Sequence, residues 1–305
     1  MNKKVELDPF MKIGLGTVQF GLDYGVSNPQ GITPAAEVKD ILTLAWNSGI
    51  TILDTAVAYG MSEEVIGQST PEGISFKIVS KTPLFKKDRI GKADATRLKR
   101  IFLQSLKRVK QPAIYGLLVH HANDLLVPGG PYLWQTMEDL KAAGLVKKIG
   151  VSVYSPREID ELLGKYHPDL IQLPLNVFDQ RMIQGGHLRR LKDLGIEIHS
   201  RSVFLQGLLL MSPEEISPYF DPVRPLIMKY HRVIKDQRIN RLTAALGFVY
   251  RQLEIDHIIV GVNNQSHLEE IINVAHNIEI SGNFDFSGYA VHDESITNPA
   301  LWRLQ

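Results

Sequence analysis

Short apolar runs rich in β-branched residues recur along the chain and alternate with amphipathic stretches. Continuous apolar runs of this length are typical of strands that are buried on both faces, as the strands of a parallel sheet are. Eight such runs are present: MKIGLGT (11–17), ITILDTA (50–56), FKIVSKT (76–82), IYGLLVHH (114–121), KKIGVSV (147–153), LIQLPLN (170–176), IEIHSRSV (196–203) and HIIVGVN (257–263).

The stretches between these runs carry start and stop signals of helices. Thr33-Pro34, with Glu37 close behind, predicts the start of the first helix with Pro34 at its first position. Gly49 predicts the end of that helix, just before the next strand. Further signals of the same two kinds are Ser155-Pro156 as a helix start and Gly144 and Gly195 as helix ends.

A β–α unit that repeats eight times, without consecutive hairpin-joined strands, predicts one α/β domain: a closed (β/α)8 TIM-type barrel over residues 1–305. In such barrels the active site lies at the carboxyl ends of the strands. A doubly wound open sheet is the competing fold, but no G-x-G-x-x-G motif follows an early strand. Two segments exceed a minimal barrel, 204–256 and 275–305. We expect them to cover the barrel mouth, the alternative being that they pad its outside.

Composition narrows the class of protein. Of the 305 residues, 44% are hydrophobic and 22% are charged, which is typical of a soluble globular protein with a large core. The net charge of +1 disfavours nucleic acid and anionic membranes as partners. The chain has no cysteine, which excludes disulfides and thiolate chemistry and fits a cytoplasmic enzyme. The segment MNKKVELDPF lacks an apolar signal region and no run of 18 apolar residues occurs, so a non-secreted protein is expected.

Four titratable residues lie at or near the ends of the second, third and fourth runs: Asp54, Tyr59, Lys81 and His120. In a barrel these strand ends meet at one mouth. A carboxylate, a phenol, an ammonium and an imidazole that meet there form a proton-donating site, suited to protonate a carbonyl while a hydride arrives from elsewhere. Taken singly, each residue has an ordinary structural explanation, such as a helix cap for the Asp or a packed aromatic for the Tyr.

The order and spacing of several blocks resemble the aldo-keto reductase family from GLGT (14–17) to GVNNQSHLEEI (261–271), nearly the whole chain. The most specific block has its Asp and Tyr five residues apart. The matching blocks are GITILDTAVAYGMSEEVIG (49–67), KT (81–82), LLVHH (117–121), GLVKKIGVS (144–152) and FLQGLL (204–209).

The resemblance implies a role for each of the four residues. Tyr59 would be the general acid that protonates the carbonyl oxygen, and Lys81 would lower the pKa of its phenol. Asp54 would pair with Lys81, because an unpaired buried ammonium is costly. His120 would orient the substrate oxygen. We prefer it to His121, because the family places its catalytic His first after the apolar run and because His121 points to the other face of an alternating strand.

The resemblance also implies a nicotinamide dinucleotide that lies extended across the mouth, since no side chain supplies a hydride. NADP(H) is favoured on family frequency and NAD(H) remains possible. The residues implied at this cofactor are Gly16, Thr17, Ser152, Gln172, Arg201, Ser202, Leu205, Gly207, Gly261, Asn264, Gln265 and Glu270.

The sequence departs from the family pattern at three places. Val153 stands where the family often has Asn, and Arg201 stands where many members have a Tyr that stacks on the nicotinamide. The stretch VNNQSH (262–267) has no Lys or Arg where the family usually binds the adenosine 2′-phosphate. A dianionic phosphate is normally met by a cation or a helix N-terminus, so NADH stays an open alternative.

For the substrate, the resemblance implies a small aldehyde or ketone. The polar candidates Tyr24, His121 and Asn123, together with Asn176 and Arg201, favour an oxygen-rich carbonyl over a steroid-like one.

Three other functions are compatible with a barrel that carries these residues. They are a Schiff-base lyase that uses Lys81, a nucleotide-binding regulatory barrel with little turnover, and a divalent-metal hydrolase. The hydrolase has the least support, because the strand ends lack a His-x-His pair, and no metal site is predicted.

Overall fold

Eight parallel strands close into one barrel, in the order β1 to β8 with β8 hydrogen-bonded to β1. This computed structural model describes residues 12–278 and 285–303, so Met11 of the first predicted run and part of the predicted tail 275–305 lie outside the described residues. All eight predicted strands and the (β/α)8 barrel are confirmed. The strands are β1 (Ile13–Gly16), β2 (Ile52–Asp54), β3 (Lys77–Lys81), β4 (Ile114–Val119), β5 (Val146–Ser152), β6 (Leu170–Pro174), β7 (Glu197–Arg201) and β8 (His257–Gly261).

Helices follow the strands around the outside of the barrel. Within residues 12–278 and 285–303 they are α1 (Ala35–Asn47), α2 (Ser62–Ser69), α3 (Lys92–Arg108), α4 (Asn123–Leu126), α5 (Pro131–Ala142), α6 (Pro156–Leu163), α7 (Arg181–Gln184), α8 (His187–Asp193), α9 (Arg224–Asp236), α10 (Arg241–Tyr250), α11 (Gln265–His276) and α12 (Glu294–Thr297). None of the described helices combines the length and the apolar character needed to cross a membrane.

The start of α6 forms where the sequence predicts it. The Ser155 hydroxyl accepts a hydrogen bond from the Glu158 amide, the Glu158 carboxylate accepts one from the Ser155 amide, and Pro156 occupies the first turn. The start of α1 differs from the prediction. Pro34 is the extended residue before the helix (ψ 145°), and Thr33 makes no cap because its hydroxyl donates to the Asn263 carbonyl.

Two apolar layers build the core. The larger one packs the helices against the outer face of the barrel. The smaller one fills the barrel interior with one residue from each of five strands: Ile52, Val79, Leu118, Leu170 and Ile259. Because side chains alternate along a strand, the residue two positions further on points to the interior as well, closer to the carboxyl end.

The segment 204–256 contains α9 and α10, preceded by three short 3-10 helices. Its apolar side chains, among them Phe220 and Tyr230, form a second core with Phe286, Tyr289 and Ile296 of the tail. This core joins the two segments that the sequence marks as additions to a minimal barrel.

Helix α2 packs closely against the end of α3 at Gly67. A Cβ atom on Gly67 would lie 1.9 Å from the Arg108 carbonyl oxygen. Because that neighbour is backbone, Gly67→Ala should lower the free energy of unfolding by about 1–3 kcal/mol in urea denaturation. Gly164 serves as control, since its nearest neighbours would be 3.8 Å away and its φ is −73°. Gly164→Ala should change stability by less than about 0.5 kcal/mol, and equal losses in both variants would contradict this packing.

Candidate active site

A cavity of about 1520 Å³ opens at the carboxyl ends of the strands. Every strand contributes one residue to the lining: seven strands contribute their last residue or the one just beyond it, and β6 contributes its third residue, two positions before its end. These eight residues are Gly16, Asp54, Lys81, His120, Ser152, Gln172, Arg201 and Gly261. Five of them, Asp54, Lys81, His120, Gln172 and Gly261, stand two positions beyond the five interior apolar residues. The strand period therefore places them on top of that layer.

The loop after β2 carries Tyr59 to the cavity. Its turn is closed by hydrogen bonds from the Tyr59 amide to the Ala56 carbonyl (3.0 Å) and from the Ser62 amide to the Tyr59 carbonyl (3.0 Å). Gly60 has a φ of +57° and approaches so closely that a Cβ there would lie 2.3 Å from the Gly21 carbonyl oxygen. The turn thus fixes the position of Tyr59 relative to β2.

Lys81 and Asp54 form a buried ion pair beneath Tyr59. The ammonium donates to both carboxylate oxygens of Asp54 at 2.7 Å and to the Thr55 carbonyl at 3.1 Å. The Lys81 side chain is only 1% exposed. Gln172 donates from Nε2 to the same carboxylate at 2.8 Å, so the acceptor is shared by residues of β3 and β6.

The phenol of Tyr59 lies next to this pair, with its hydroxyl 3.4 Å from Lys81 Nζ. Burial raises the pKa of Tyr59 above its ordinary value, Asp54 raises it further, and Arg201 partly offsets the rise. The net shift of this pKa is therefore upward, although the resemblance implies a lowering contribution from Lys81. Asp54 neutralises the ammonium at 2.7 Å, so Lys81 offers the phenolate less stabilisation than a free cation does.

His120 completes the group. Its ring stands edge-on to that of Tyr59, with 5.9 Å between the centroids. Burial lowers the pKa of His120 to about 3, and the charges of Lys81 and Arg201 contribute to the shift. The imidazole is therefore neutral near pH 7 and can donate a hydrogen bond from one nitrogen.

Most residues predicted at the cofactor line this cavity: Gly16, Thr17, Ser152, Gln172, Arg201, Ser202, Gly207, Gly261 and Glu270. Of the predicted substrate residues, Tyr24 lines it too. The hydroxyl of Tyr24 accepts from Gln206 at 3.2 Å.

Three predicted cofactor residues are not part of the described lining. Leu205 is fully buried in the second apolar core. Asn264 caps α11, its side-chain oxygen accepting from the His267 amide at 2.9 Å. The backbone amide of Gln265 donates to Glu37 at 2.6 Å, so that amide already has an anion as its partner.

Two predicted substrate residues lie outside the described lining as well. His121 is near Asp124 rather than the cavity, with its Nδ1 3.4 Å from the carboxylate. Asn123 begins the short helix α4 and accepts from the Val127 amide through its backbone carbonyl. Asn176 uses its side chain within the loop after β6, where its oxygen accepts from the Phe178 and Asp179 amides.

Several residues that line the cavity were not predicted from the sequence, because they come from loops or from the segment 204–256. Gln19 lies two residues after the end of the GLGT block, which is the one available signal. Tyr154 stacks on Arg201, whose guanidinium carbon lies 4.1 Å from the ring centroid. At the end of the cavity formed by α9 and α10, His231, Arg232, Lys235 and Arg241 supply positive or titratable groups.

Unpartnered polar atoms and close backbone approaches mark the cavity as a binding site. Gln172 Oε1, Gln19 Oε1 and His120 Nδ1 are buried and have no hydrogen-bond partner among the described residues. Such atoms normally have a partner. A Cβ on Gly207 would lie 1.9 Å from Ser27 Oγ, so this part of the cavity wall has no room for a side chain at position 207.

A family model described as the Aldo/keto reductase family matches residues 12–283. Aldo-keto reductase YhdN of Bacillus subtilis (strain 168) is 32% identical over 178 residues, which are 56% of this chain and 52% of that protein. The chain thus spans about half the length of this curated relative. The uncharacterized oxidoreductase YtbE of the same organism is 24% identical, covering 74% of this chain and 84% of that protein.

Solved structures share the fold. The glycerol dehydrogenase AKR11B4 from Gluconobacter oxydans is 18% identical and has a TM-score of 0.65, with 90% of this chain and 94% of that chain covered. The aldo-keto reductase AKR11C1 from Bacillus halodurans is 17% identical with a TM-score of 0.66, covering 89% and 92% of the two chains.

Removing the carboxylate of Asp54 should destabilise the protein, because it leaves the Lys81 ammonium buried without its anion. We expect Asp54→Asn to lose about 3–5 kcal/mol of unfolding free energy in urea denaturation. The double variant with Lys81→Met should recover much of that loss, because an apolar chain replaces the buried charge. As a control, Asp193→Asn disrupts an exposed pair with Arg189 (63% and 77% exposed) and should change stability by less than about 0.5 kcal/mol. A loss in Asp54→Asn no larger than in the control would contradict this role of the pair.

Proposed function

Since the chain belongs to the aldo/keto reductase family, a family of oxidoreductases that act on carbonyl and alcohol groups, we propose that it is an NAD(P)H-dependent carbonyl reductase. It would convert a small, polar aldehyde or ketone reversibly into the alcohol. The observation that carries this proposal is the contact of Tyr59 with the buried Lys81–Asp54 pair at the floor of a large cavity.

In this proposal Tyr59 is the general acid. Its raised pKa keeps the phenol protonated over the whole physiological range, which is the form that a proton donor needs. When negative charge develops on the carbonyl oxygen, the phenolic proton moves to it. Lys81 lies 3.4 Å from the hydroxyl and stabilises the phenolate as it forms.

Asp54 and His120 support this transfer in different ways. Asp54 holds Lys81 charged and fixed below the phenol through two contacts of 2.7 Å. His120, neutral and edge-on to Tyr59, can donate a hydrogen bond to the same carbonyl oxygen and so orient it. Both residues therefore act on the position and polarity of the oxygen that receives the proton.

A bound nicotinamide dinucleotide would supply the hydride. The buried Oε1 atom of Gln172 lacks a partner among the described residues and, with the Ser152 hydroxyl, fits a carboxamide. Gly16, Thr17 and Gly261 line the wall that Gln19 shares, and Ser202 and Gly207 line the wall next to Ser27. The guanidinium carbon of Arg201 lies 4.1 Å from the centroid of the Tyr154 ring, and this planar group could also pack against the nicotinamide ring.

The far end of the cavity supports NADP(H) over NAD(H). Arg241 is the first residue of α10 and lines the cavity, with its guanidinium donating to the Leu210 carbonyl at 2.9 Å. Arg232 and Lys235 of α9 line the same end. These cations can take the place of the Lys or Arg that is missing from 262–267, because the adenosine 2′-phosphate can be bound by a cation from any part of the chain.

The segments 204–256 and 275–305 support a covered mouth. Phe204, Gln206 and Leu210 of the first segment line the cavity together with Pro299 and Ala300 of the tail. For the substrate, Tyr24 and Gln206 offer polar groups at the cavity wall, which favours an oxygen-rich carbonyl.

Two alternatives have less support. A Schiff-base lyase needs a free amine, whereas Lys81 Nζ contacts both oxygens of Asp54 and the Thr55 carbonyl. Borohydride trapping of a carbonyl compound on Lys81 would favour it. A regulatory nucleotide-binding barrel would quench NADPH fluorescence saturably and reduce nothing in a broad carbonyl panel.

Replacement of Tyr59 by Phe removes the proton donor without changing the ring. Tyr59→Phe should lower the rate of carbonyl reduction at least about 100-fold while the affinity for NADPH stays nearly unchanged. Steady-state rates and fluorescence titration measure the two quantities. Tyr132→Phe, at a residue 45% exposed on α5, is the matched control and should keep full activity. Wild-type turnover in Tyr59→Phe would refute the assignment of the general acid.

Titration of NADPH and NADH side by side tests the cofactor proposal. NADPH should bind more tightly, and Arg241→Gln should weaken NADPH at least about tenfold, the effect of a lost charged hydrogen bond, while NADH changes little. Arg100→Gln, at an exposed position of α3, should alter neither affinity. Equal affinity for both dinucleotides, or an equal loss of both in Arg241→Gln, would overturn the preference for NADP(H).

A further inference from the structure

A second cluster of titratable side chains lies at the amino ends of β7 and β8, on the other side of the interior apolar layer from the cavity. It consists of Glu197, His199 and His257. His199 and His257 are paired neighbours in the β7–β8 ladder, and His257 stands two residues before Ile259 of the apolar layer. The cluster is therefore separate from the candidate active site.

The three side chains are close enough to share one ion. One ligand atom from each lies within 4.8 Å of the others. Glu197 Oε1 and His199 Nε2 are 2.7 Å apart, and the two imidazole rings stand edge to face with their centroids 4.9 Å apart. Ligands in a tetrahedral zinc site are about 3.4 Å apart, given bonds of about 2.0–2.2 Å. The largest separation of up to 4.8 Å exceeds this spacing, so an ion would draw the three side chains closer together.

Two nitrogen atoms in the cluster have no partner. His199 is completely buried, yet its Nδ1 makes no hydrogen bond within the described part of the chain, and the same holds for the buried Nδ1 of His257. Buried imidazole nitrogens normally find a partner. Since His199 already faces Glu197 through Nε2, the unpartnered Nδ1 of His257 is the atom that indicates a partner outside the protein chain.

The outer side of the cluster holds the carboxylate in place. Glu197 Oε2 accepts from the Tyr115 hydroxyl at 2.7 Å and from Lys148, while Oε1 faces His199. One oxygen is thus bound to the protein and the other is directed inward. Outer contacts of this kind orient the ligands of protein metal sites.

We propose that Glu197, His199 and His257 bind one divalent transition-metal ion, with Zn²⁺ as the expected type, through two imidazoles and one carboxylate. Imidazole ligands favour zinc and its neighbours over Mg²⁺ and Ca²⁺, which prefer oxygen alone. Glu197 and His257 are partly exposed, which gives the ion a route into the site.

The positive charges around the cluster set the strength of binding. Lys77, Lys147 and Lys148 each lie 5.6–5.7 Å from the centroid of the Tyr115 ring. Their ammonium groups repel a dication, so this ion binds less tightly than one in a closed structural zinc site. When bound, the ion links β7 to β8 and stabilises the folded state.

Titration of the untagged, chelator-treated protein with Co²⁺ tests the site directly. We expect one Co²⁺ per chain with visible absorption bands of a four-coordinate ion. His257→Gln should raise the dissociation constant at least about tenfold, and Glu197→Gln should act in the same direction. His167→Gln, at an exposed position outside the cluster, is the matched control and should leave binding unchanged.

A second measurement needs no variant. X-ray absorption of the wild-type protein loaded with one equivalent of Zn²⁺ should show two imidazoles among the ligands. One imidazole or none would overturn the proposal, as would equal Co²⁺ affinity in His257→Gln and the wild type, or no visible Co²⁺ bands at all. None of these results bears on carbonyl reduction, so the two proposals stand or fall separately.

Discussion

The ion pair between Lys81 and Asp54 is the interaction on which the candidate site depends. Both groups are almost completely buried, and a charge in that position is tolerated only with a close counter-charge and further hydrogen bonds. Thr55 and Gln172 supply those bonds. The pair fixes the ends of β2 and β3 against each other, and the phenol of Tyr59 is placed on it by the turn after β2.

The interior apolar layer divides the barrel into two polar ends with different chemistry. Above it lie the candidate active site and its cavity, and below it lie Glu197, His199 and His257. Both ends arise from the same strand period, because positions two residues before and after an interior apolar residue also face inward. The tightly packed hydrocarbon between them therefore keeps the side chains at the two ends out of contact with each other.

The strands could be predicted from the sequence because each one is buried on both faces and therefore appears as a continuous apolar run. The helix start at Ser155-Pro156 was readable for a similar reason, since its capping contacts are local. At Thr33-Pro34 a similar pair of residues predicted a helix cap that the structure does not contain. The Thr33 hydroxyl, which would cap the helix, donates to the Asn263 carbonyl instead. Sequence rules based on neighbouring residues cannot predict a partner 230 residues away.

The sequence by itself determined the barrel, the family, and the placement of Asp54, Lys81 and His120 at strand ends, because strand period and strand ends are local properties. Only the tertiary structure decided which polar groups meet. It brought Arg241 and Gln19 to the cavity, kept Leu205, Asn264, Gln265, His121 and Asn123 out of its lining, and made the net shift of the Tyr59 pKa upward. Burial and charge compensation depend on residues far apart in the chain, and the closed barrel sets those distances.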